Sequence, residues 1–352
     1  LRSERMTEEF QRTGADAVRQ EPGKAPVPLR AFYGLMPESI SHEGYSAKPM
    51  HSYWDDFFTL KGLKDAAEIA TTLGKTERAE QIAELADDFA TTLYDSLDAA
   101  RAAHGIEYLP GCAELGDFDA TSTTIALWPC EELHRLPQAA LQATFDRYWE
   151  RFVARRDDPD FAWFDYTPYE LRVVGTFVLL NQPQRAAEAL EFFLRDRLPR
   201  EWNQWPEVVY REPRTARFLG DLPHTWCGSD FLNSVRTAFL YERADDQTVV
   251  VFAGLPSQWY GDQPIGFRNL PTYGGRLSCT AKLRDGVFEV LASGDCPVPS
   301  GGLRISLPDH AKGQATIDGR LAPVDEWGRV RVTRLPCRVL APVSGSDVSR
   351  SQ

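Results

Sequence analysis

Apolar positions recur at helical spacing over the first two thirds of the chain. Between residues 54 and 73 they fall on one face of a helix, and Gly74 is a typical signal for the end of a helix. The same spacing continues from 77 to 99. A helix end is predicted before residue 19, and further helices at about 121–133, 137–156, 168–180, 183–198 and 229–242. The pattern predicts helical hairpins.

Long loops rich in polar and aromatic residues precede every second predicted helix, near residues 54, 120, 168 and 229. The turns between these loops are short. In a ring of helical hairpins such loops emerge on one face, so we expect them to converge on one pocket. A helical repeat with incidental long loops would explain the helices, but not the concentration of Trp, Asp and Glu in one class of loop.

From Gln247 onward the hydrophobic pattern changes to a period of two. Short β-type runs are separated by turns such as Asp285-Gly286 and Asp318-Gly319. The predicted strands are 248–253, 276–281, 287–291, 303–307, 329–333 and 337–340. We therefore expect a helical domain at residues 1–244, a C-terminal antiparallel β-sandwich at 245–345 and a disordered tail at 346–352.

Composition narrows the possible partners of this chain of 352 residues. Its formal net charge of -12 disfavours binding to nucleic acid or to an anionic membrane surface. The six cysteines lack zinc-ligand spacing, so we predict neither a metal nor a cofactor. No apolar run approaches the ~20 residues that span a bilayer, and the first twenty residues are too polar for a signal peptide. We expect a soluble protein, cytoplasmic or exported.

Candidate catalytic and sugar-binding residues are most concentrated in the segment His51-Ser52-Tyr53-Trp54-Asp55-Asp56-Phe57-Phe58. In it, two adjacent carboxylates lie among aromatic rings. Rings stack on the apolar faces of a pyranose, while a carboxylate bonds hydroxyls or protonates a leaving oxygen. The structural alternative is that the Tyr-Trp pair belongs to the core and the Asp residues cap a helix. An oligosaccharide or polysaccharide is the substrate that this composition favours.

Three segments resemble those of known glycosidases. Tyr53-Trp54-Asp55-Asp56-Phe57-Phe58 resembles the Tyr-Trp-Asp-Ser-Tyr signature of trehalases and the Trp-Glu acid segment of glucoamylases. Glu114-Leu115-Gly116-Asp117-Phe118-Asp119 is similar to the segment that holds the trehalase acid. Trp202-Asn203-Gln204-Trp205-Pro206-Glu207, followed by Pro223-His224-Thr225-Trp226, looks like the late loop where rhamnosidases and glucoamylases place a general base. The arginine-rich trehalase signature is absent, so the resemblance does not imply trehalose.

These families belong to the six-hairpin (α/α)6 glycosidases, and the whole pattern resembles their bacterial members. The resemblance implies an all-α toroid of helical hairpins, followed by the β-sandwich. A full toroid has twelve helices, and only seven or eight are predicted before the β-domain. We therefore expect an incomplete, (α/α)6-like toroid, its C-terminal two thirds, which pairs with a missing N-terminal part of the same protein.

The resemblance implies that the chain is an inverting glycoside hydrolase. It implies Asp55 as the general acid and Glu207 as the general base, with Asp56, Asp117 and Asp119 as alternative acids. Other side chains are expected to contact the sugar. They are Tyr53, Trp54, Asp56, His51, Glu43, Glu114, Asp117, Asp119, Trp202, Trp205, His224 and Trp226.

Two other classes of function fit the same pattern. A disaccharide phosphorylase or a polysaccharide lyase can use a similar toroid, and a lyase would favour Tyr or His as base in a basic pocket. A lyase is one alternative, because Arg211, Arg214 and Arg217 could form the basic pocket that it requires. The second class is a non-catalytic, carbohydrate-binding fragment.

Overall fold

A computed structural model describes residues 17–42, 44–197, 200–212, 222–308, 311 and 314–343. In this part of the chain there are seven α-helices and four sheets. The chain divides into two compact units, Leu1–Trp163 and Phe164–Gln352. None of the described helices combines the length and apolar character needed to cross a bilayer.

The first unit is built on a helical hairpin. Its helices are α1 (Tyr53–Thr72), α2 (Thr76–His104), α3 (Ala120–Leu127) and α4 (Gln138–Asp157). Helix α1 packs along α2 and also contacts α3. Phe57 and Leu60 on α1 and Phe89 on α2 are buried, and burial of an apolar face supplies most of the stability of helices in proteins.

Two loops meet at the N-terminus of α1. The chain reaches it through strands β1 (Val18–Arg19) and β2 (Val27–Pro28) and a 3-10 turn at Leu29–Phe32. The segment that enters α1 then pairs with the loop before α3, since the amide of Tyr53 donates to the carbonyl of Gly111 at 3.1 Å. A Cβ at Gly111 would lie 2.9 Å from the Tyr45 hydroxyl, so this close approach requires glycine.

The second unit begins with strands β3 (Asp165–Tyr166) and β4 (Val209–Tyr210), which pair antiparallel. Its helices are α5 (Arg172–Leu179), α6 (Pro183–Arg195) and α7 (Thr225–Phe239). Helix α5 packs against both α6 and α7.

Two further sheets follow α7. The four-stranded sheet contains β5 (Leu240–Arg243), β6 (Thr248–Val251), β10 (Gly302–Ser306) and β13 (Arg329–Val332), in the order β13-β10-β6-β5. Its β6 and β10 run parallel. The six-stranded sheet contains β7 (Ile265–Thr272), β8 (Gly275–Arg284), β9 (Val287–Gly294), β11 (Ala315–Ile317), β12 (Arg320–Ala322) and β14 (Cys337–Pro342). It is antiparallel throughout, and its strand order is β12-β11-β14-β9-β8-β7.

The predicted all-α toroid is wrong, because the chain is a mixture of helices and sheets, although a C-terminal antiparallel sheet is present. Each helix lies on a stretch whose periodicity predicts one. The pattern misses strands β1 to β4 within the loops, and β5, β7, β11 and β12 among the later strands. Helical spacing shows which face a helix buries, but not which element covers that face.

Other expectations are not decided by these elements. The predicted domain boundary at residue 245 and the missing N-terminal part stay predictions. The predicted tail at 346–352 and most of the predicted helix before residue 19 lie outside the described residues, and Val18–Arg19 is a strand.

Candidate functional site

The carboxylate of Asp55 lies in the first turn of α1, facing the loop that precedes this helix. Its Oδ1 accepts a hydrogen bond from the Ser41 hydroxyl at 3.0 Å, and the Ser39 hydroxyl donates to its Oδ2. The two serine hydroxyls thus fix the orientation of the Asp55 carboxylate, which is half-buried at the edge of the loop.

The imidazole of His42 lies between the two loops. Its Nδ1 is 3.1 Å from the Ser41 hydroxyl, and its Nε2 is 2.9 Å from the Ser122 hydroxyl. The ring stacks on the half-buried indole of Trp54, with 4.7 Å between ring centroids and 24° between planes. This stacking fixes the plane of the imidazole, so both nitrogens point at hydroxyl groups.

Asp119 is the N-cap residue of α3. Its Oδ1 accepts from the backbone amide of Ser122 at 2.9 Å, and the Ser122 hydroxyl donates to its Oδ2. The same Oδ2 is 3.8 Å from Nε2 of His42. The side chains of Asp119 and His42 are 28% and 22% exposed, so a substrate can reach both. Ser41, His42, Asp55, Asp119 and Ser122 are called the His42 cluster.

Asp117 has a more enclosed position beside this cluster. Its Oδ2 accepts from the Tyr45 hydroxyl at 3.1 Å, and its Oδ1 accepts from the backbone amide of Cys112 at 3.0 Å. Burial raises the pKa of Tyr45, and the neighbouring Cys112 and Asp117 raise it further. Tyr45 therefore stays a neutral phenol that donates to Asp117.

Two residues of the aromatic segment point into the protein interior. The hydroxyl of Tyr53 is 2.9 Å from that of Ser96 on α2, and burial raises the pKa of Tyr53 well above its usual value. Asp56 is fully buried, and its Oδ1 accepts from the backbone amide of Met36 at 2.8 Å. These contacts tie α1 to its neighbours.

A second histidine of the first unit, His51, belongs to a buried charged group. Its Nδ1 is 2.6 Å from Oε1 of the fully buried Glu114, and its backbone amide donates to Oε2 at 3.0 Å. Arg19 lies 3.5 Å from Glu114 and also bonds Glu38. These residues, Arg19, Glu38, His51 and Glu114, are called the His51 cluster.

The donor atoms of Glu38, His51 and Glu114 lie within 4.8 Å of one another, close enough to hold one metal ion. The guanidinium of Arg19 already contacts both glutamates, so it supplies positive charge at that point. Arg19 therefore bridges the two glutamates, and His51 is bonded to one of them.

In the second unit, Tyr169 joins two predicted site residues. Its hydroxyl is 2.7 Å from Nε2 of His224 and donates to Oε1 of Glu207 at 3.2 Å. Burial, and then the charge of Glu207, raise the pKa of Tyr169. Tyr169, Glu207 and His224 are called the Tyr169 cluster, and the guanidinium of Arg172 lies 5.5 Å from the Tyr169 ring centroid.

The three predicted tryptophans of this unit differ in their surroundings. Trp205 is buried, and its indole nitrogen donates to the carbonyl of Phe193 at 3.0 Å. Trp202 is 60% exposed and Trp226 is 47% exposed, the latter edge-on to the Tyr169 ring. An open pocket of about 660 Å³ is lined by Trp205 and His224. Its volume is in the range of small-molecule sites.

The structure thus groups the predicted residues into sets within each unit. Asp55, Trp54 and Asp119 surround His42, whereas Glu207 and His224 meet at Tyr169. The pairing of Asp55 with Glu207 joins residues of different units and stays a prediction. Glu43, Arg214 and Arg217 lie outside the described residues.

Sequence reasoning assigned no role to Ser41, His42, Ser122 or Tyr169. The run Ser39-Ile40-Ser41-His42 could have drawn attention, because it places two hydroxyls beside an imidazole. No local signal links this run to Ser122, which is 80 positions further along the chain.

Comparison of the chain with protein-family models finds no match, and neither does comparison with curated proteins. The resemblance to six-hairpin glycosidases therefore stays an expectation that rests on short motifs.

Proposed function

We propose that this chain is a carbohydrate-active enzyme that hydrolyses glycosidic bonds at the His42 cluster. One observation carries the proposal: a carboxylate in the first turn of α1 and another at the N-cap of α3 flank an imidazole that lies on a half-buried indole. Glycoside hydrolysis uses two carboxyl groups on either side of the scissile bond. Aromatic rings beside them suit the apolar face of a sugar.

Asp55 is the general base in this proposal. Its carboxylate lies in the first turn of α1, where the hydroxyls of Ser39 and Ser41 orient both oxygens, and in this role it takes a proton from water. This role differs from the acid role that the sequence resemblance implies, because the proposal gives the acid role to Asp119, which lies beside the His42 imidazole.

Asp119 is the general acid. Its Oδ2 faces both the Ser122 hydroxyl and the His42 imidazole, two groups that exchange protons readily, and its side chain is accessible. The alternatives are less suitable. Asp56 is fully buried, and Oδ2 of Asp117 contacts the Tyr45 hydroxyl, whereas Oδ2 of Asp119 lies 3.8 Å from the His42 imidazole.

Inversion of configuration is the outcome that the sequence resemblance implies. Asp55 is connected to the Nδ1 edge of the imidazole through Ser41, whereas Asp119 lies at the Nε2 edge. An inverting enzyme needs room for a water molecule between its two carboxyl groups. A separation of ~6.5–9.5 Å is typical of inverting enzymes, and ~5–5.5 Å of retaining ones.

The test is to replace each carboxylate by its amide. Asp55→Asn and Asp119→Asn should each lower turnover on a cleaved oligosaccharide by ~10²-fold or more, the usual worth of general acid or base assistance. Azide should restore activity to Asp55→Asn, and a substrate with a good leaving group should partly restore activity to Asp119→Asn. Asp87→Asn, the same change on an exposed position of α2, is the matched control and should keep full activity.

Folded Asp55→Asn and Asp119→Asn proteins that cleave as fast as Asp87→Asn would contradict the assignment. Absence of cleavage by the unaltered chain on a broad panel of oligosaccharides and polysaccharides would count against hydrolysis itself.

A second candidate function is a polysaccharide lyase at the Tyr169 cluster, favoured by the 2.7 Å contact between Tyr169 and His224. A phenol and an imidazole in contact can serve as the acid and the base of a β-elimination. Ultraviolet absorbance of unsaturated products, abolished in Tyr169→Phe, would support the lyase. Saturated products whose formation does not depend on phosphate would support hydrolysis and exclude phosphorolysis.

A further inference from the structure

We propose that Glu38, His51 and Glu114 bind one divalent transition-metal ion of the zinc type, which takes the place of the Arg19 guanidinium. The site is structural: the ion fastens together the three segments that carry its ligands. It lies outside the His42 cluster, and its existence does not depend on the proposed hydrolysis.

The three side chains supply donor atoms of the kind that zinc prefers. One imidazole nitrogen and two carboxylate oxygens lie within 4.8 Å of one another. Zinc binds such ligands at ~2.0–2.2 Å, so two ligands of one ion lie at most ~4.4 Å apart. A small movement of the side chains therefore brings all three donors onto one ion, and a water molecule can complete a tetrahedral set. The imidazole disfavours Ca²⁺ and Mg²⁺, which prefer oxygen ligands.

Backbone pairing already holds the three ligand residues side by side. Glu38 is followed by Ser39, which exchanges two backbone hydrogen bonds with Met50. His51 follows Met50, and its carbonyl accepts from the amide of the residue before Glu114 at 3.1 Å. The ligands thus lie on three paired segments from distant parts of the chain, so the fold has brought them together before any ion binds.

A backbone donor orients the buried carboxylate. The amide of His51 donates to Oε2 of Glu114 at 3.0 Å, with Oε1 at 3.2 Å. Hydrogen-bond partners behind a ligand fix its orientation and strengthen metal binding. Glu114 and His51 are buried, whereas the side chain of Glu38 is 42% exposed. An ion can therefore enter from the side of Glu38.

Exchange of Arg19 for the ion leaves the charges balanced. The guanidinium supplies one positive charge to two carboxylates, whereas a divalent ion supplies two. Arg19 keeps a carboxylate partner after displacement, because its Nε lies 3.4 Å from Oε1 of Glu21. Nδ1 of His51 binds the ion without a hydrogen, so the neutral imidazole carries its hydrogen on Nε2.

The experiment titrates the full chain, first treated with a chelator, with Zn²⁺ in an isothermal calorimeter. One ion should bind per chain. Ca²⁺ and Mg²⁺, titrated in the same way, should bind far more weakly, because imidazole is a poor ligand for them. Zn²⁺ should also raise the temperature midpoint of unfolding, since an ion that binds only the folded chain stabilises it.

Variants at the ligands and at Arg19 should move the affinity in opposite directions. His51→Gln and Glu38→Gln each remove one ligand and should weaken Zn²⁺ binding by ~10-fold or more, since losing even a partner behind a ligand typically costs that much. Arg19→Gln removes the competing cation and should tighten binding. His134→Gln, at an exposed position between α3 and α4, is the matched control and should leave the affinity unchanged.

Glu38→Gln keeps the test decisive even where His51→Gln does not fold, because Glu38 is exposed. A chain that binds no Zn²⁺ would overturn the site, and so would equal affinities in Glu38→Gln and His134→Gln. Weaker binding in Arg19→Gln would show that Arg19 does not compete with the ion. Preference for Ca²⁺ or Mg²⁺ over Zn²⁺ would contradict the zinc type.

The result is separable from the proposed function, because the titration uses no sugar. A chain that binds Zn²⁺ at this site and cleaves no sugar would uphold the metal site and count against hydrolysis. A chain that cleaves sugars but binds no Zn²⁺ would do the reverse.

Discussion

His42 and His51, two histidines of the first unit, both lie near carboxylates, but they differ in burial and in the groups that they contact directly. His51 lies in the interior against the carboxylate of Glu114, which also lies 3.5 Å from the guanidinium of Arg19. His42 is partly exposed, contacts its carboxylates largely through serine hydroxyls, and stacks on Trp54. Both groups combine imidazole with carboxylates.

The difference shows what separates a structural group from a reactive one. In the His51 cluster the guanidinium of Arg19 contacts both carboxylates, and the backbone amide of His51 also bonds Glu114. In the His42 cluster the partners of the imidazole are serine hydroxyls, each of which can donate or accept a hydrogen bond.

The largest expected loss of stability comes from removing the buried carboxylate of Glu114. Glu114→Ala leaves Arg19 and His51 without their central partner, and removal of one member of a buried pair typically costs ~3–5 kcal/mol. We expect the free energy of unfolding, measured by urea denaturation, to fall by about 3 kcal/mol or more. Asp119→Ala is the matched change in the His42 cluster and should cost only ~1 kcal/mol, the usual value for losing an N-cap.

Equal losses of stability in Glu114→Ala and Asp119→Ala would remove the distinction between the two clusters. So would a Glu114→Ala protein as stable as the unaltered chain.

The sequence predicts the elements on each side of the His42 cluster but not the cluster itself. Helical spacing predicts α1, and Asp285-Gly286 predicts the turn between β8 and β9, where both residues have a positive φ. These signals are local. The contact of His42 with Ser122 depends instead on two loops that approach at Gly111, and no periodic pattern encodes such an approach.

The same limit explains the error in fold class. Each helical stretch carries its own pattern, but the two-residue strands β1 to β4 are too short to show a period of two. Resemblance of short motifs then suggested an incomplete all-α toroid, which the sheets contradict. The contacts of Asp55 were equally hidden from the sequence, since its hydroxyl donors come from Ser39 and Ser41 in the loop before α1.

A smaller effect concerns a carboxylate beside the His51 cluster. Glu21 accepts from Lys48 at 2.5 Å and contacts Arg19 at 3.4 Å, and the bond from Lys48 lowers the pKa of Glu21 below 4.5. Because the folded-state pKa is the lower one, the stabilisation is present above the unfolded pKa and disappears as pH falls through the folded value. We expect Glu21→Gln to lose roughly 0.5–1 kcal/mol near pH 7 and less near pH 3.

The measurement is the free energy of unfolding of Glu21→Gln and of the unaltered chain between pH 3 and pH 7. It shows whether the stability difference shrinks or grows as the pH falls. Glu84→Gln, at an exposed position of α2, is the control and should show little change at either pH. A loss for Glu21→Gln that grew as the pH fell would show that the ion pair does not act in the way described.

The most direct test of the proposed activity is the configuration of the first product. Proton magnetic resonance during cleavage of an oligosaccharide by the unaltered chain should show the anomer opposite to that of the substrate, before mutarotation mixes the two. The same signal should be lost in Asp55→Asn and return with azide as the inverted glycosyl azide. A product of retained configuration, an unsaturated sugar, a sugar phosphate or no product at all would contradict inverting hydrolysis at Asp55 and Asp119.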